Sequence, residues 1–146
     1  MTPQTIGLLV GGVVPAILFS FSNIFMKASM EQGSSFPFYL LSVGLAVVLT
    51  SVVLLFVFHD RTITTSGALY AFGSGASWAI GISCAIFALH HFGSPLSKLV
   101  PIFNMNTLFS VLLALWIFAE WKTTHVPQLL VGSVLIVLGG VIVSRA

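Results

Sequence analysis

The sequence predicts an all-α integral membrane protein of five transmembrane helices, and three observations carry that prediction. The 146 residues are 58% hydrophobic and 5% charged, with a mean hydropathy of +1.13. A soluble domain needs about 25% charged residues to cover its surface, and eight charges cannot do so. Charged or turn-forming residues then cut the chain into five apolar blocks, 5–28, 36–58, 67–89, 96–119 and 126–144. Each is long enough to cross a hydrocarbon core, which takes ~20 helical residues. The connectors MEQGSSFP, HDRTITTS, HHFGSPLS and EWKTTHVP are short and rich in Gly, Pro, Ser, Thr or charge. Consecutive helices are therefore antiparallel neighbours. Spanning backbone must satisfy its own hydrogen bonds, which excludes open sheets.

The first block, within TPQTIGLLVGGVVPAILFSFSN, has a signal peptide's apolarity but no basic start, and its apolar run is too long. It is read as a retained helix. Ser20, Asn23 and Lys27 are spaced i, i+3, i+7 and share a face. Polar groups in an apolar helix usually face a bundle interior or a water-filled cavity. The competing reading is that Lys27, near the helix end, snorkels to the headgroups and pairs with Glu31 at i+4. Pro15 removes a backbone hydrogen bond and is a candidate hinge, while Gly7 and Gly11 offer a GxxxG packing surface.

The second block, FPFYLLSVGLAVVLTSVVLLFVF, is of the kind any membrane helix needs. The third carries Gly73, Ser77 and Gly81 at i, i+4, i+8, a small-residue groove. Trp78 lies in mid-membrane, where Trp is less expected than at the interface. It either walls a cavity and stacks on a ligand or packs in the helical core or against lipid.

The fourth block, KLVPIFNMNTLFSVLLALWIFAEW, holds Lys98, Pro101, Asn104, Asn106 and Glu120. At 1.5 Å per residue, Lys98 and Glu120 lie ~33 Å apart and mark opposite interfaces. Pro101 is the hinge candidate and frees the Ser97 carbonyl. Asn104 shares its face, whereas Asn106 points about 200° away. Asn104 is thus the site candidate and Asn106 a packing residue. The fifth block carries Gly132 and Gly139.

Several functions are excluded at this level. The net charge of +2 is scattered, with no Lys/Arg cluster, so nucleic acid is not an expected partner. Cys84 is a lone cysteine with no redox or metal motif. All four histidines and all three carboxylates fall at predicted helix ends, none at a metal-binding spacing. No catalytic signature such as GxSxG or HExxH is present, so neither enzyme activity, metal nor cofactor is expected.

Residues 95–143, with Pro101 early in one helix, Glu120 closing it, and Gly132 and Gly139 bracketing an aliphatic run in the next, resemble the end of an EamA-like domain of the drug/metabolite transporter superfamily. The other three helices match such a domain in length and topology. The resemblance implies that residues 1–146 form a single EamA-like domain, one half of a ten-helix inverted-repeat transporter. It also implies that a second copy, or a homologous half, closes the substrate cavity. The distantly similar small multidrug resistance transporters pair their subunits antiparallel. Here Arg61 and Lys122 on one side nearly balance Lys27, Lys98 and Arg145 on the other, which leaves orientation weakly specified. Those relatives carry a carboxylate midway along the first helix, and VGGVVPAILFSFSN has none. The deeper ionisable groups are Lys27 and Lys98, so an anionic or zwitterionic solute is expected.

The resulting expectation is a secondary transporter of a small metabolite in the cytoplasmic (inner) membrane, working as a homodimer. Asn23, Lys27, Trp78 and Asn104 are its substrate-binding residues. Pro15, Gly73, Ser77, Gly81, Pro101, Gly132 and Gly139 serve as hinge or packing positions. The alternative is a non-transporting or hetero-pairing membrane subunit.

Overall fold

The structure is a computed structural model that describes residues 2–59 and 61–146. Among the described residues, all regular structure is helical, and five helices are long and apolar enough to cross a membrane. The chain divides into two compact units, the first ending at Phe92 and the second running Gly93–Ala146.

In the first unit, α1 spans Pro3–Leu8 and starts on a side-chain cap. Thr2 Oγ1 accepts the Thr5 N–H at 3.2 Å, and Pro3 occupies the first turn, where its missing N–H has no helical partner to lose. A π-helical turn over Leu9–Val13 follows, in which the Val14 N–H donates to the Leu9 carbonyl. α2, Val14–Glu31, continues the same span. The wider turn comes immediately before Pro15, whose ring crowds the carbonyl four residues back at Gly11. Pro15 is thus accommodated by a local widening, in a helix that runs three residues beyond the expected end at 28.

α2 stops in a Schellman arrangement. The Ser34 N–H donates to the Ser29 carbonyl, the Gly33 N–H to Met30, and Gly33 sits at φ +82°, where only glycine is unstrained. α3, Phe36–Val57, has Pro37 in its first turn. Its Ser42, Thr50 and Ser51 hydroxyls each donate to the carbonyl four residues back, at 2.8 Å. These three hydroxyls are satisfied within their own helix and need no polar partner in hydrocarbon. α4, Thr65–His91, opens on Thr64, whose Oγ1 accepts the Gly67 N–H at 3.1 Å. That cap moves the start two residues ahead of the expected 67. Met26 and Ile86, each 1% exposed, are the best-buried side chains of this unit, with Met30 beside them. They belong to the ends of α2 and α4, so the unit is packed there and open elsewhere.

In the second unit, the expected single helix over 96–119 is two helices. α5 spans Leu96–Phe103 and α6 spans Asn106–Ile117. Between them the hydrogen bonds tighten to the i−3 register: Met105 N–H to Ile102, Thr107 N–H to Asn104 and Leu108 N–H to Met105. In an unbroken α-helix the Met105 N–H would serve the Pro101 carbonyl. That carbonyl instead faces α7, Val126–Arg145, at Gly140. Pro101 also has no N–H for Ser97. Two carbonyls one turn apart, Ser97 and Pro101, have therefore lost their i+4 donors. The sequence points to a hinge at Pro101, whereas the change of register lies after it, at Asn104–Met105.

α6 ends at Ile117, two residues short of the expectation, because Ala119 adopts φ +53° and turns the chain into a 3₁₀ segment, Glu120–Lys122. The Thr123 and Thr124 hydroxyls both donate to the Glu120 carbonyl. A left-handed alanine costs about 1 kcal/mol relative to glycine. Ala119→Gly is expected to raise stability by about 1 kcal/mol, visible as a higher midpoint in thermal unfolding of the detergent-solubilised protein. Lys122 lies 5.6 Å over the Trp121 ring, which keeps its charge at the interface.

α7 packs on both α5 and α6. Ser133, 4% exposed, donates to the Leu129 carbonyl at 2.9 Å and so enters the interface satisfied. Gly140 is the most tightly packed glycine of this unit: a Cβ there would lie 2.8 Å from the Pro101 carbonyl oxygen.

Candidate functional site

The two units hold different parts of the expected site. On α2, Asn23 is half-buried and faces the same way as Met26, Lys27 and Met30, as the 3.6-residue period requires. Lys27 Nζ lies 3.5 Å from Glu31 Oε1, with both side chains substantially exposed. The ion pair expected at i+4 is present, one turn from the helix end. An exposed i,i+4 pair of this kind is worth about 0.3–0.5 kcal/mol. Ser20, on the same face, donates to the Ala16 carbonyl at 2.8 Å and has no proton left for a ligand.

On α4, Trp78 is 51% exposed. Gly73, Ser77 and Gly81 are exposed, and nothing lies within 4 Å of where a Cβ would stand at either glycine. The stripe of small residues is uncovered within this unit. Ser83, further along α4, donates to the Ala79 carbonyl and is self-satisfied.

In the second unit, Asn104 is the residue that closes α5 and sits in the i−3 turn, exposed. From Leu96 it lies ~12 Å along the helix axis, which places the interruption inside the hydrocarbon span and not at its edge. Asn106 opens α6 and is exposed as well. Around the break the site offers an amide side chain at Asn104 and the carbonyl of Ser97, whereas the Pro101 carbonyl is covered by α7 at Gly140. These are acceptors and donors held at membrane depth by backbone irregularity.

The two glycines expected to pack in the last helix, Gly132 and Gly139, have no atom within 4 Å of where a Cβ would stand. The close approach belongs to Gly140, which sequence reasoning missed. The Gly139-Gly140 pair was the available signal, and only the rotation of α7 about its axis distinguishes its members. A second missed feature is the pocket of about 410 Å³ where the end of α2, the start of α3 and the end of α4 converge, lined in part by Ser35, Ile86, His90 and His91. The clustered HHF and GSS of the connectors were its only trace.

Compared with protein-family models, with curated proteins and with solved structures, the chain matches none. Among the described residues, no group of three or more His, Cys, Asp or Glu is placed to hold a metal ion. Cys84 is an exposed free thiol.

Proposed function

We propose that the protein is a secondary transporter of a small anionic or zwitterionic metabolite in the cytoplasmic membrane, acting as a homodimer whose near-even charge balance permits an antiparallel pairing. The observation that carries the reading is the interruption of the Leu96–Ile117 span at Asn104–Met105. Non-helical backbone at membrane depth is tolerated only where protein buries it or where it lines a water-filled cavity, and discontinuous helices are the usual material of transporter binding sites. The π turn at Leu9–Val13 adds a second departure from α geometry in a different span. The EamA-like resemblance of residues 95–143 supplies the pairing of two five-helix halves. The absence of a nucleophile and base at depth in the sequence favours carriage of a solute over its chemical conversion.

In this reading Asn104, at the break between α5 and α6, contacts the solute. The test is reconstitution of the purified chain alone into liposomes, with uptake of radiolabelled carboxylates and amino acids measured. At least one of these is expected to enter, and Asn104→Ala to reduce that uptake about tenfold, as expected for loss of a hydrogen bond to a charged group. A chain inert alone that carries flux with a homologous half would reassign it to a hetero-pair. Inertness in both settings would overturn the proposal.

A further inference from the structure

The pocket between the ends of α2, α3 and α4 lies outside every residue assigned to transport, and its lining is of two kinds. Met30, Phe36, Ile86 and Phe87 make an apolar floor. Phe87 is held in place by edge-on contact with the His91 ring at 4.4 Å and the Phe92 ring at 5.7 Å. Above the floor stand hydrogen-bond donors that the fold leaves uncommitted. Ser35 occupies the N-cap of α3 but makes no side-chain capping bond. The amide of Phe36, which lines the pocket, is consequently uncapped, and Pro37 after it has none to offer. His90 and His91 contact each other ring to ring at 5.3 Å. Each imidazole carries at least one N–H donor in either protonation state. No carboxylate lines the pocket.

Two helix C-termini share this end with the one N-terminus, and their negative poles weigh against an anion. At α2 that pole is already occupied: the carbonyls of Ala28, Ser29 and Met30 accept from Gln32, Ser34 and Gly33 respectively. At α4 the Ala88 carbonyl accepts from Phe92, and the last turn carries the two histidines. The nearest carboxylate on these elements, Glu31, is paired with Lys27. What remains facing outward is a set of donors over hydrocarbon-like side chains, at the level where α2, α3 and α4 leave the membrane.

From this geometry we infer that the pocket binds a phosphate-bearing amphiphile, with a phospholipid of the surrounding leaflet as its source. The phosphate oxygens take the Ser35, His90, His91 and α3 amide donors, and the chain lies on Ile86, Phe87 and Met30. A pocket of about 410 Å³ falls in the size range of small-molecule sites and holds a headgroup with the first part of a chain. The inference rests on α2, α3 and α4 spanning the membrane and is independent of whether the protein transports anything.

The experiment is native mass spectrometry of the full chain released from detergent, titrated with phosphatidylglycerol, with diacylglycerol of the same chains, and with inorganic phosphate. Phosphatidylglycerol is expected to be retained at least about tenfold better than diacylglycerol, and millimolar inorganic phosphate to leave it in place. His90→Ala/His91→Ala is expected to lower retention about tenfold. Ser34→Ala/Ser35→Ala, which leaves the Phe87–His91 ring contact untouched, should lower it in the same direction. Equal retention of diacylglycerol, or unchanged retention in both variants, would overturn the phosphate assignment. Displacement by inorganic phosphate would overturn the lipid source.

Discussion

Gly140→Ala is expected to destabilise the protein by about 2 kcal/mol, the cost typical of forcing a methyl into a packed contact. The added Cβ would lie 2.8 Å from the Pro101 carbonyl oxygen, where ordinary contact begins near 3.4 Å, so α5 and α7 must part by about 0.6 Å. The obstructing atom belongs to backbone and cannot swing aside as a side-chain tip would. The same substitution at Gly139, one residue earlier, meets nothing within 4 Å. Gly139→Ala should be neutral or slightly stabilising through helix propensity alone. Thermal unfolding of the two variants in detergent separates these outcomes, because the helix gains the same methyl in each. Equal losses would show that α5 and α7 do not cross at Pro101. In the transport reading, Gly140→Ala also perturbs the segment that presents Asn104, so its flux should fall with its stability.

The second large effect is expected at Ile86, 1% exposed, where Ile86→Ala should cost about 2 kcal/mol. In water such a truncation loses both transfer free energy and packing. Among membrane helices the first contribution largely vanishes, because lipid tails are as apolar as the core, and what is lost is close contact. The expected cost therefore lies at the low end of the range known for soluble cores. Ile80, 67% exposed on the same helix, supplies the comparison: Ile80→Ala should change the unfolding midpoint little. If the two variants behaved alike, the convergence of α2 and α4 on Ile86 would be wrong. The pocket above it would then lose its floor.

The helices themselves were legible in the sequence because their cause is local. Twenty apolar residues between polar connectors have few alternatives in a bilayer, and the five observed spans differ from the expected ones by only a few residues at the ends. Those end differences come from caps, such as Thr64 on α4 and the Schellman turn at Gly33, whose bonds reach only a residue or two beyond the apolar pattern. The interruption at Asn104–Met105 was half legible. Pro101 announced a weak point, but the register changes downstream, where the Pro101 carbonyl turns to another helix. That contact depends on which face α7 presents, and an apolar helix with small residues on several sides does not encode its own rotation. Gly140 was missed for Gly139 for this reason. Lys27 shows the reverse case: both of its readings were available from spacing alone, and the ion pair with Glu31 is the one the helix end allows.

The self-satisfied hydroxyls of α3 leave its second half, exposed from Gly44 to Val57, with no polar tie to a neighbour among the described residues. Ser42, Thr50 and Ser51 hand their protons back to their own backbone, and the half-buried face of α3 is confined to its first turns, at Tyr39, Leu40 and Val43. Its surface is thus the natural place for reporter groups. A spin label or fluorophore scanned along Val47–Leu55 would read out lipid depth and neighbouring copies while leaving the machinery of the other spans undisturbed.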